Sequence, residues 1–156
     1  MLLKVSKIAY FLLPALLSIN FGCKANAEPT STLTVVVKGI KHQKGQICIR
    51  VFSSEKGFPL DNTSEVKSGC TQIAGNYVKK QFTGLKPGTY AVAVVDDQNG
   101  DYKLNRDFLG IPKEGFGISK NPTVSLITGT PKFSDASFSL QKNKTINIFM
   151  KYGLDP

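Results

Sequence analysis

Asp97, Asn99, Asp101, Lys103 and Asn105 recur at every second position of one short segment, Asp97-Gln98-Asn99-Gly100-Asp101-Tyr102-Lys103-Leu104-Asn105. Side-chain oxygens at the first, third, fifth and ninth places, with a main-chain carbonyl at the seventh, are how a calcium loop surrounds one hard cation. On this reading the cofactor is Ca2+. The EF-hand pattern is incomplete, because Tyr102 stands where that loop needs Gly and Phe108 where it needs a bidentate Glu. Asp96, Asp107 or Glu114 could supply the missing carboxylate. The competing reading is an Asx-rich turn, in which Asp and Asn side chains bond the local backbone. The two mismatches favour the turn.

The same region offers two further kinds of chemistry. Asp97 and Glu114 are a carboxylate pair of the sort that cleaves glycosides when their separation is right. Asp96, Tyr102, Glu114 and Phe116 combine acids with aromatics that could hold a sugar or peptide. His42, the one histidine, lies far in sequence from every acid-rich stretch. A Ser-His-Asp arrangement therefore has little to build on, and His42 is expected to be solvated in its turn. The expectation is a binding module without catalytic activity, its partner an envelope protein or a glycan. The alternatives are a hydrolase using carboxylates of the 96–119 loop and a purely structural envelope protein.

The elements that must position these residues are strands. Thr32 to Lys38 is rich in β-branched residues, and Leu33, Val35 and Val37 share a face. Gln46 to Phe52 puts Ile47, Ile49 and Val51 on one face and Cys48, Arg50 and Phe52 on the other. Cys70 to Ile73 and Tyr77 to Leu85 are further extended stretches. Pro87-Gly88 sets a turn, and the nearly all-apolar run Tyr90 to Val95 reads as a central strand buried on both sides. Residues 97 to 121 form a long irregular loop. Thr123 to Thr128 is a short strand or a helical turn. Ser137 to Leu140 and Thr145 to Tyr152 complete the set. The fold class is all-β: a single antiparallel β-sandwich, immunoglobulin-like, of about seven strands with one long loop. The loop is expected to fold back so that Glu114 and the Asp97–Asp101 turn share one end of the sandwich.

The chain of 156 residues opens with a basic stretch, Lys4 and Lys7. An apolar run, Ile8 to Ile19, and the small residues Ala25-Asn26-Ala27 follow. That is the pattern of a secretory signal cleaved after Ala27, and the run is short of the ~20 residues of a membrane span. Residues 1–27 are thus read as a leader and 28–156 as the domain, with no stable membrane span in the mature chain. The destination is periplasmic or extracellular. Without Lys4, Lys7 and Lys24 the charge is 20 − 3 = 17 basic against 11 acidic residues, a net of +6. Those charges are dispersed, without the basic stripe that nucleic-acid binding needs. Cys48 and Cys70 remain as an even pair, expected to form a disulfide in an oxidising compartment. Two buried thiols or a metal pair are the alternatives, and a single His argues against zinc.

Three pieces carry a family resemblance: the turn Gly84 to Tyr90, the loop Asp97-Gln98-Asn99-Gly100-Asp101, and Gly110-Ile111-Pro112-Lys113-Glu114-Gly115-Phe116-Gly117-Ile118-Ser119. Pro131 to Ala136 adds a fourth. With these the chain resembles the bacterial exported proteins grouped as domain of unknown function 2141, across essentially the whole mature segment. The resemblance implies a sandwich similar to transthyretin-like modules and no established activity. Asp96 stands where the family often carries His.

Overall fold

A computed structural model describes residues 29–156; the proposed leader, its cleavage point and Cys23 lie outside the described residues. The chain folds as two sheets of short strands. In order these are β1 (Ser31–Lys38), β2 (Gln46–Phe52), β3 (Glu65–Gln72), β4 (Tyr77–Leu85), β5 (Gly88–Asp97), β6 (Phe116–Ile118), α1 (Phe133–Ala136), β7 (Phe138–Leu140) and β8 (Lys144–Phe149). The smaller sheet runs β4-β1-β8 and the larger β3-β2-β5-β6, with β7 also paired to β5.

The core follows from period-two alternation. Leu33, Val35 and Val37 of β1, Ile47, Ile49 and Val51 of β2, Val92 and Val94 of β5, and Ile148 of β8 join one buried cluster between the sheets. Each fully buried aliphatic side chain contributes about 1.5–3 kcal/mol. Phe52, Ala91, Ala93, Ile118 and Ala136 form a second cluster on the outer face of the larger sheet, with Phe58 and Phe133 against it. β5 is therefore covered on both faces, as its unbroken apolar run required.

Three details differ from the expectation, and one open alternative is decided. β1 pairs with β8 in parallel, so the sandwich is not purely antiparallel. β3 begins at Glu65, upstream of the Cys70 start. Of the two alternatives for Thr123–Thr128 the chain takes the turn rather than the strand, with Thr128 N–H donating to Ser125 Oγ and Gly129 N to Ser125 O. β6 lies inside the segment read as one irregular loop, and it pairs Ile118, Gly117 and Phe116 with Ala93, Val94 and Val95. Gly117 is needed there because a Cβ would lie 2.7 Å from Ile148 Cγ2. Phe116 also exchanges main-chain bonds with Lys151, 2.9 and 2.7 Å long, which ties the edge of the larger sheet to the chain after β8.

Cys48 and Cys70 stand directly opposite each other in the β2–β3 register and are joined in a disulfide. The pairing follows from the register alone, since both side chains emerge on the same face of adjacent strands.

Candidate functional site

β5 continues past Val95 and carries Asp96 and Asp97 as its last two residues, both fully buried. Alternation sends them to opposite faces, and the two carboxylates have different surroundings. Asp97 faces outward over the larger sheet. Its Oδ1 accepts from Gly100 N (2.8 Å) and Asp101 N (3.2 Å). Its Oδ2 accepts from Tyr102 N (3.2 Å) and Gln46 Nε2 (2.9 Å). Cys48 Sγ, which has no proton in the disulfide, lies 3.7 Å from the same oxygen. Tyr102 adopts a φ of +62°, a conformation L residues rarely take. The Asp97 bond to its N–H holds the chain in that bend.

Glu114 closes the other side of the loop. It is buried, and it accepts from Gln98 N (3.1 Å), Asn105 N (3.0 Å) and Asn105 Nδ2 (3.1 Å). Glu114 and the Asp97–Asp101 turn thus sit together, joined through Gln98 and Asn105. Asp101 accepts from Lys103 N, Asn99 Nδ2 and Asn105 Nδ2. The Asn105 bond, then that from Lys103 N, holds the Asp101 carboxyl below its ordinary range. Every acid of this segment is an acceptor for the loop's own N–H groups. Asp107 does the same one turn later, its Oδ1 accepting from Leu109 N and Ile111 N, both at 2.9 Å.

For a metal, this arrangement leaves few free oxygens. Among the described residues no three His, Cys, Asp or Glu side chains converge in a set that would hold an ion. Of the five residues at alternate positions, Asp97 and Asp101 have both oxygens facing N–H donors and Asn99 Oδ1 accepts from Asp101 N, while Lys103 and Asn105 supply N–H donors to Asp101 and Glu114. The geometry is that of successive Asx turns.

Asp96 faces the other way, toward the end of the sandwich. Its Oδ2 lies 2.8 Å from His42 Nδ1 and accepts the Tyr152 hydroxyl at 2.6 Å, and Gln98 Nε2 donates to Oδ1. Lys41 N donates to the Tyr152 oxygen at 2.8 Å. Burial, and next the bond to Asp96, push the Tyr152 hydroxyl up to about 12. His42 is therefore not simply solvated. It is half exposed but pinned to a buried carboxylate, and the cluster fastens the β1–β2 turn to the C-terminal segment. Sequence reading missed His42 and Tyr152 because 54 and 56 positions separate them from Asp96. No local signal links them.

What the acidic scaffold holds in place is a cavity. It has a volume of about 460 Å³ and lies on the outer face of the larger sheet. Its floor includes Val95, Phe116 and Ile118 from β5 and β6; its walls are the loop 102–112 and the turn around Leu126. Of the four residues expected to bind ligand, Tyr102 and Phe116 line this cavity. Asp96 and Glu114 do not; they are buried struts behind it. Arg50, Lys103 and Arg106 line it too, and among the described residues no Asp or Glu does. Arg50 is anchored by Glu65, and Arg106 Nη1 donates to Gly110 O at 2.8 Å.

A family model described as "Uncharacterized protein conserved in bacteria (DUF2141)" matches residues 35–147. The chain belongs to that family. The matched span of this DUF2141 chain runs from β1 into β8 and contains the whole acidic scaffold and most of the cavity wall. No curated protein and no solved structure matches it.

Proposed function

We propose that this DUF2141 chain is an exported binding module whose cavity takes an amphipathic ligand, an apolar body bearing an anionic group. The cavity carries the reading. Its volume lies within the ~300–1,000 Å³ of small-molecule sites. Its wall is largely apolar, and among the described residues its charged side chains are Arg50, Lys103 and Arg106. An apolar ligand body displaces water from Val95, Phe116 and Ile118, while a carboxylate, sulfonate or phosphate meets the cations at the edge. The acidic loop serves this site by fixing Tyr102 and the segment after it. A hydrolase built on Asp97 and Glu114 has less support, because their oxygens are engaged by N–H groups of the loop.

The test uses 8-anilinonaphthalene-1-sulfonate, which is both apolar and anionic, with dodecanoate as competitor. Saturable binding and displacement are expected. Val95→Phe, which projects a ring into the cavity from its floor, removes binding while leaving the unfolding midpoint near wild type. Lys103→Ala with Arg106→Ala weakens it, by about fivefold for each charge lost. Unchanged affinity in Val95→Phe would overturn the assignment.

A further inference from the structure

We propose that the mouth of this cavity docks on a membrane surface rich in anionic lipid headgroups. Two loop tips flank the mouth, and each carries two consecutive large apolar residues, Phe108-Leu109 and Leu126-Ile127. One member of each pair, Leu109 and Leu126, lines the cavity. The other members do not line it and stand in solvent, Phe108 94% and Ile127 98% exposed. Neither belongs to a core cluster, so packing does not account for them.

The tips are also ordered turns. Asp107 Oδ1 accepts from Leu109 N and Ile111 N, and Gly110 N donates to Asp107 O. In the second tip Ser125 N donates to Thr128 Oγ1, Thr128 N to Ser125 Oγ, and Gly129 N to Ser125 O. Side-chain bonds thus hold Phe108 and Ile127 outward, where burial in an acyl layer recovers their hydrophobic free energy. Charge selects the surface. Lys103 and Arg106 stand in the first tip's loop, and Arg50 lines the same mouth. Asp101 and Asp107 keep their charges, but their carboxylates turn onto their own loop's N–H groups and do not line the cavity, while Glu65 offsets Arg50 and leaves Lys103 and Arg106 as the cations that act. Basic residues beside shallowly inserted apolar side chains are what anionic bilayers retain. A protein partner would equally cover apolar tips, but Lys103 and Arg106 line the cavity with no described Asp or Glu beside them, which favours a surface that is uniformly anionic.

The chain contains no Trp, so Phe108→Trp supplies a single reporter at the first tip. The protein is purified as the cell processes it and mixed with vesicles of phosphatidylcholine, alone or with an equal part of phosphatidylglycerol. The expected result is a blue-shifted emission, quenched by brominated acyl chains, with the anionic vesicles only. The response weakens in high salt and falls about fivefold for Lys103→Ala. Phe108→Ser with Ile127→Ser, compared with wild type of the same N-terminus, loses vesicle co-sedimentation and keeps anilinonaphthalene sulfonate binding, because neither residue lines the cavity. Emission unaffected by either vesicle would overturn the proposal. So would a blue shift that grows with protein concentration without lipid, which would make the tips a contact between copies. Loss of probe binding in Val95→Phe, with vesicle docking intact, separates this proposal from the one for the cavity.

Discussion

Replacing Asp97 by Asn tests whether the acidic loop is a hydrogen-bonded scaffold. Four N–H donors converge on the Asp97 carboxylate, two on each oxygen. An amide keeps the shape but turns one oxygen into a donor. With the amide nitrogen toward Gly100 and Asp101, two main-chain donors face a third. Turned the other way, it faces Gln46, whose own amide can rotate to accept, and Tyr102, whose N–H then loses its partner. The second arrangement costs less, and it forfeits one charge-assisted bond at a fully buried site. Such a bond contributes about 1.5–3 kcal/mol, so Asp97→Asn should lose about 2 kcal/mol. Asp97→Ala, which releases all four donors, should lose more, though donors of exposed loop residues recover water. Asp101→Asn is the control. Its side chain is exposed and its donors can turn to water, so it should unfold at close to the wild-type urea midpoint. Urea unfolding measures all three. A parallel series in millimolar calcium separates the scaffold from an ion site, since a ligand of the folded state raises stability by mass action. Asp97→Asn indistinguishable from wild type would refute the scaffold. Calcium stabilisation of wild type that vanishes in Asp97→Asn and Asp101→Asn would replace it with an ion site.

Tyr152 has a folded pKa of about 12, above the ordinary tyrosine value near 10. Folding thus favours its protonated form: this stabilisation is complete below pH 10 and is lost as pH rises through about 12. One tyrosine should ionise late in an ultraviolet titration, and Tyr152→Phe should remove that late step and flatten the alkaline fall in stability. The Cys48–Cys70 bridge closes a loop of sequence separation 22, so Cys48→Ser with Cys70→Ser should cost about 3 kcal/mol; the native protein should resist alkylation until reduced. Gly117→Ala places a methyl 2.7 Å from Ile148 Cγ2, an overpacked contact that should cost about 1–3 kcal/mol by denaturant unfolding. A neutral result there would mean that β6 moves away from β8 at little cost.

The strand most legible by its period was β1, where Leu33, Val35 and Val37 face the core. Ile47, Ile49 and Val51 of β2 also share the core face, although Cys48 and Phe52 are buried on the other. The run Tyr90 to Val95 announced a strand covered twice, and the second cover is the cluster around Phe52 and Ile118. β6 escaped because three residues with a glycine at the centre have no period to read; its strand character comes from pairing with Ala93 to Val95. The acids were visible as a concentration of oxygens, but not the direction in which each points. Tyr102 and Phe116, which line the cavity, were singled out because aromatics in a loop are conspicuous. Val95 and Ile118 were not, since an aliphatic residue on a cavity floor looks like any core residue.

By itself the sequence determined the all-β class, the concentration of Asx side chains in residues 97–105 and the availability of two cysteines for pairing. These rest on period, turn residues and counts, which are local properties of the chain. Tertiary structure alone decided that β8 runs parallel to β1, that Asp96 meets His42 and Tyr152, and that two loops enclose about 460 Å³ beside three basic side chains. Each of these brings together segments distant in sequence. The closure depends on how both sheets pack, and no window of neighbouring residues contains that information.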